Sequence, residues 1–172
     1  MILKLLPPAG AEHHVPEALD VAVMESEMER YLSSTELGGY EAVSVALSFV
    51  TDDEMARLNA RYRGIPEPTD VLSFPLWEEG GVFSPPAWGD DLPLGDVVIS
   101  PERVRQDALD AGASYEGEMA MAAIHGFLHL IGFDHDTEER RASMWEVQER
   151  LRGAYLLRRA GGESRTAENW ED

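Results

Sequence analysis

Two periodicities run along this chain. Between residues 42 and 50, Val43, Val45, Leu47 and Phe49 fall on one side of a two-residue repeat, with Ala46 and Ser48 on the other. That pattern predicts a half-buried strand with small residues on its second face. Short apolar runs predict three more strands, at residues 1–6, Val71–Phe74 and Leu94–Ile99. Elsewhere the spacing is helical. Leu19, Val23, Met28, Tyr31 and Leu32 predict a helix from near Pro16 to Leu37, stopped by Gly38-Gly39. Thr51 and Glu54 form a capping box that opens a second helix through Met55, Leu58 and Tyr62. This helix ends by Gly64, and Pro66 and Pro68 bar its return. Ser100-Pro101-Glu102 opens a third. Two more are expected at about 114–131 and 137–159. Residues 77–93, rich in Gly, Pro and Trp, are expected to form a long surface loop. The expectation is one α+β domain over residues 1–160, with four strands and five helices, and a polar tail over 161–172.

Composition narrows the chemistry. The chain has 172 residues and no cysteine. Disulfides, thiolate metal sites and a cysteine nucleophile are therefore excluded. The six residues before Pro7-Pro8 are too few for a signal-peptide apolar region, which needs roughly 7–15. No run approaches the roughly 20 apolar residues of a membrane span. A soluble, cytoplasmic protein is expected.

The candidate chemistry lies in His125-Gly126-Phe127-Leu128-His129-Leu130-Ile131-Gly132-Phe133-Asp134-His135. His125 and His129 are four residues apart, so a helix projects both imidazoles from one face. Gly132 allows a left-handed turn, after which the chain can bring His135 to the same ion. Three neutral nitrogens and one open position are the pattern of a catalytic zinc site. A lone histidine on an apolar helix face is usually a hydrogen-bonded core residue. Here three of the chain's five histidines fall within eleven residues at metal-ligand spacing. Adjacent His13 and His14, beside Pro and Gly, are read as solvated. Asp134 could orient a ligand histidine or cap the next helix.

The His-x3-His-x5-His frame matches the ligand spacing of metzincin proteases. Gly126 stands where those enzymes place a glutamate general base, so peptidase activity is not expected. The same glycine suggests room for a bulky substrate close to the metal. Arg57, Arg61 and Arg63 lie in a stretch without acidic residues. Arg57 and Arg61 are read as a solvated helix face. Arg63, expected to leave the helix, could hold a phosphate through its planar fork.

The histidine segment resembles the signature of the YbeY family of rRNA maturation factors. Leu58-Asn59 with Tyr62-Arg63 and Pro68-Thr69-Asp70-Val71-Leu72-Ser73-Phe74-Pro75 resembles its second block. Leu94-Gly95-Asp96-Val97-Val98-Ile99 resembles its third. The resemblance implies a metal-dependent, single-strand-specific endoribonuclease. It would act on the 3′ end of small-subunit rRNA and in ribosome quality control. It also implies His125, His129 and His135 as ligands of one Zn²⁺ and Arg63 as the functional arginine of the cleft. The implied fold is a four-stranded mixed sheet with the ligand helix central. Single-stranded rRNA and the small ribosomal subunit with its proteins are the implied partners, and neither DNA nor membrane is expected.

Taken as a whole, the formal charge of −19 weighs against an RNA partner. Its distribution changes that reading. Residues 55–66 carry +3 and residues 137–165 carry +2, and together they hold ten of the 14 basic side chains. An acidic body with local cationic segments suits weak, selective, salt-sensitive RNA binding.

Overall fold

The computed structural model describes residues 1–7, 14–87 and 89–161. His13 and the tail from residue 162 lie outside the described residues.

The alternating segment forms β2 (Ala42–Phe49), with Val43, Val45 and Leu47 buried. β1 (Ile2–Leu6) and β6 (Asp91–Ile99) flank β2 in parallel, and β3 (Val71–Pro75) joins β6 antiparallel. The sheet order is β1-β2-β6-β3. Among the described residues it is the expected four-stranded mixed sheet, accompanied by the expected five α-helices.

β6 starts three residues earlier than Leu94. Pro93 pairs with Ser44 and Gly95 with Val45, so the register shifts there and leaves Leu94 as the extra residue. The bulge accommodates a proline within a central strand. Gly95 sits at φ 136°, and a Cβ there would lie 2.1 Å from the Phe74 carbonyl oxygen. The expected surface loop also holds a two-stranded hairpin, β4 (Glu78–Glu79) and β5 (Val82–Phe83). Its turn is Gly80-Gly81, both with positive φ, as a tight hairpin connection demands.

The first helix is shorter than its periodicity predicts. Residues Pro16–Leu19 form a turn, with Leu19 N–H donating to Pro16 O. α1 (Val21–Ser33) starts after Asp20, whose carboxylate accepts from Val23 N–H. The Ser34 and Thr35 hydroxyls then donate to the Tyr31 and Leu32 carbonyls and divert the chain into a 3-10 helix, Glu36–Gly39. Two carboxylates of α1 reach the outer side of β1. Glu25 accepts from Leu5 N–H at 2.8 Å, and Glu29 accepts from Leu3 N–H at 3.0 Å.

The remaining caps follow the sequence closely. Thr51 and Glu54 complete their capping box at the start of α2 (Asp52–Arg63), and Gly64 closes it at φ 71°. Ser100 caps α3 (Pro101–Ala111), and Ser114 caps α4 (Tyr115–Leu130). α5 spans Glu138–Gly161. α2 covers one face of the sheet through Met55, Leu72 and Val98. The main core lies on the other face, where α4 is buried along most of its length. Among the described residues, no helix is long and apolar enough to cross a membrane.

Candidate metal centre

α4 brings His125 and His129 onto one face, one turn apart, and ends at Leu130. Gly132 takes a φ of 95° just beyond. A Cβ on Gly132 would meet the Phe83 Cβ at 2.6 Å, so the β4–β5 hairpin seats this turn. The chain then reverses and delivers His135. One ring nitrogen from each of the three histidines lies within 4.8 Å of the others. The Nε2 atoms of His125 and His129 are 3.0 Å apart. A tetrahedral zinc with bonds of ~2.0–2.1 Å sets its ligand nitrogens roughly 3.4 Å apart, so small side-chain adjustments complete the fit.

Protonation also suits a cation. His125 Nδ1 lies 2.8 Å from Gln148 Oε1. The amide oxygen can only accept, so Nδ1 carries the proton and Nε2 presents a free lone pair. Burial, with the His125 and His135 imidazoles alongside, pushes His129 down to about 4. It is therefore neutral at pH 7 and binds a metal without first losing a proton. His125 and His129 are half-buried, whereas His135 is exposed. The triad thus opens towards solvent.

The loop that carries His135 is tied to α5. Arg141 donates to the His135 carbonyl at 3.3 Å, and Arg140 pairs with both Asp136 oxygens at 2.9 Å. Asp134 contacts a ligand histidine through its backbone rather than its ring, and it does not cap the next helix. Its carboxylate accepts from the His135 backbone N–H at 2.7 Å, while Thr137 Oγ1 accepts from Arg140 N–H at the start of α5.

Gly126 corrects an expectation. It faces the sheet rather than the metal opening. A Cβ there would lie 2.7 Å from Val97 Cγ1 and 3.0 Å from Val71 Cγ2. Its carbonyl accepts from the Ser73 hydroxyl at 2.9 Å. The glycine lets α4 press onto β6 and β3, so it makes no room for substrate.

Arg63 is the last residue of α2 and exposed, so it remains on the helix instead of leaving it. Asn59, buried on the same helix, donates to the Glu67 carbonyl at 2.8 Å and pins the following loop. His14 is exposed, as expected. Gln148 was not among the sequence candidates. Its signal was a polar residue within the buried stripe Met144, Gln148, Leu151 and Tyr155 of α5.

Comparison with known proteins agrees with this geometry. Residues 12–155 match the family described as "Endoribonuclease YbeY". An endoribonuclease YbeY of Caldanaerobacter subterraneus subsp. tengcongensis is 40% identical over 147 residues, 82% of this chain and 93% of that protein. The Bacillus subtilis endoribonuclease YbeY is 38% identical over 130 residues, 72% and 79% of the respective chains. The solution structure of TM1509 from Thermotoga maritima superposes with a TM-score of 0.60 at 26% identity, covering 99% of this chain and all of that one. With the matched region spanning all three histidines and Arg63, the chain belongs to the YbeY family.

Proposed function

We propose that this protein is a zinc-dependent, single-strand-specific endoribonuclease. It would act in the cytoplasm on the 3′ end of small-subunit rRNA and in ribosome quality control, in contact with the small subunit and its proteins. The observation that carries this reading is the triad itself: three imidazoles gathered on one ligand helix and its following loop, with the third exposed. Structural zinc sites are closed by four protein ligands, whereas catalytic sites keep one position for water or substrate. Among the described residues, this group comprises three.

A bound zinc ion would supply Lewis-acid polarisation of a phosphodiester and an acidified water. The protein's own residues do the rest. His125 is held in register by Gln148, and His129 stays neutral because it is buried. Arg63 offers an exposed, permanently charged fork to the phosphate oxygens, where it would stabilise charge developing in the transition state. With the remaining surface so acidic, RNA is expected to bind weakly and with strong salt dependence.

The test is cleavage of single-stranded RNA by protein of measured zinc content. Arg63→Ala and His129→Ala should each abolish cleavage, and only His129→Ala should lose zinc. Full zinc retention in His129→Ala would overturn the ligand assignment. Zinc-loaded wild type that leaves RNA intact would make the protein a non-catalytic assembly factor instead.

A further inference from the structure

Two successive arginines follow the triad, and the fold uses them differently. Arg140 is engaged within the protein: it pairs with both Asp136 oxygens at 2.9 Å, and its Nη2 donates to the Gly132 carbonyl at 3.5 Å. Arg141 is exposed, and among the described residues it forms no ion pair. Its Nη2 donates to the His135 carbonyl oxygen at 3.3 Å. A single carbonyl occupies few of the N–H groups of a guanidinium, so most of its donors and its whole charge stay open. The nearby carboxylates do not claim it. Asp136 is taken by Arg140, and Asp134 accepts from the His135 N–H. Glu138 and Glu139 lie in the first turn of α5, where the helix dipole favours negative charge.

Two contacts on one stripe of α5 fix where this charge lies. Arg141 and Gln148 are seven residues apart, so they share a helix face, about 10 Å from each other along the axis. Gln148 is buried against His125 Nδ1, whereas Arg141 is exposed against the His135 backbone. The buried end of the stripe orients one ligand, and the exposed end sets a permanent positive charge beside another. The planar fork of a guanidinium fits two oxygens of one phosphate. The length of a histidine side chain separates the His135 carbonyl from its ring nitrogens. The guanidinium and an ion held by the rings therefore address neighbouring phosphates of a strand, not the same one. We propose that Arg141 anchors the phosphate next to the scissile one in single-stranded RNA. This proposal rests on the ribonuclease reading and names the contact that would seat the strand at the His135 side of the triad, on a chain whose net charge of −19 otherwise repels it.

The experiment uses zinc-loaded full-length protein with wild type, Arg141→Gln and Arg141→Lys. Glutamine keeps an N–H for the His135 carbonyl without the charge, and lysine keeps the charge without the fork. Cleavage of decauridylate gives KM and kcat, and fluorescence anisotropy of a labelled 2′-O-methyl decauridylate gives Kd across a salt series. Arg141→Gln should raise KM and Kd about 10-fold, with zinc content unchanged and the loss confined to KM rather than kcat. It should also flatten the slope of log Kd against log salt concentration by about 0.7, the share of one phosphate on a single strand. Arg141→Lys should keep the wild-type slope and recover part of the affinity. The preference in kcat/KM for decauridylate over diuridylate, which has no neighbouring phosphate, should fall by the same factor in Arg141→Gln. An unchanged KM and salt slope in Arg141→Gln, or an equal loss on both substrates, would overturn the anchor while leaving the ribonuclease reading intact. A loss of zinc in Arg141→Gln equal to its loss of activity would show that the contact only holds the His135 loop, and would also overturn the anchor. Wild type that neither binds nor cleaves RNA would overturn both readings.

Discussion

Gln148 reaches across from α5 to place its amide oxygen 2.8 Å from His125 Nδ1, on a ligand 23 residues away in sequence. Gln148 is 5% exposed, so this hydrogen bond is made away from bulk water. It fixes the tautomer of His125 and the direction of its Nε2 lone pair. Gln148→Ala should therefore weaken zinc binding about 10- to 100-fold. Gln148→Glu, which keeps an acceptor at the same place, should retain most of the affinity. Competition between the apoprotein and a chromogenic chelator measures both. Equal affinities for wild type and Gln148→Ala would remove the role given to this contact.

Gly126 is expected to be intolerant for packing reasons. An alanine there must displace Val97 Cγ1 from 2.7 Å and Val71 Cγ2 from 3.0 Å. Gly126→Ala should cost about 1–3 kcal/mol in urea unfolding. Combining it with Val97→Ala should give less than the summed loss, because the two sites are in contact. Strict additivity would show that the clash is relieved elsewhere.

Gly132 combines a left-handed backbone with contact on Phe83. Gly132→Ala should destabilise the fold by more than about 1 kcal/mol and shift the His135 loop. Zinc affinity should fall with it. Thermal unfolding with and without zinc separates the effects, since a misplaced His135 reduces the increase in Tm that zinc confers.

Glu25 gives a pH signature unrelated to the metal. Burial, only partly opposed by the Leu5 N–H bond, raises its pKa above the ordinary value, with Glu29 adding to the rise. A carboxylate whose pKa is raised on folding contributes stability that is complete below its unfolded pKa. That contribution is lost as pH rises through the folded pKa. Glu25→Gln keeps an oxygen for Leu5 N–H but has no charge to bury. Relative to wild type, the variant should therefore be more stable at pH 7 than at pH 4. The opposite trend in urea midpoints would show that the ionised form is the favoured one.

Much of the site was legible in the sequence because its determinants are local. His125 and His129 need only a helix, and Gly132 only a turn, to come near His135. The caps at Thr51 and Ser100 are equally local and appear where expected. What stayed hidden depends on distant contacts. The role of Gln148 requires α5 to pack against α4, and nothing in either helix alone specifies that pairing. Gly126 was read from its neighbour in sequence, His125, yet it is explained by two valines on separate strands. The early start of β6 was masked by Pro93, which normally argues against a central strand until a bulge is available. The start of α1 moved to Val21 because Asp20 caps it there, a choice that the apolar spacing alone does not make.

The two α1 carboxylates that receive the Leu3 and Leu5 amides leave the rim of β1 with few donors for a foreign strand. An open strand rim is a template for aggregation, and natural proteins often guard it with charge. Here the guard comes from a neighbouring helix and carries two negative charges. A second molecule approaching this side must displace hydrogen bonds already made and meet like charge as it does so. Part of the chain's unusual acidity is thus placed at a strand rim, where it disfavours the edge-to-edge pairing that a largely apolar sheet would otherwise invite.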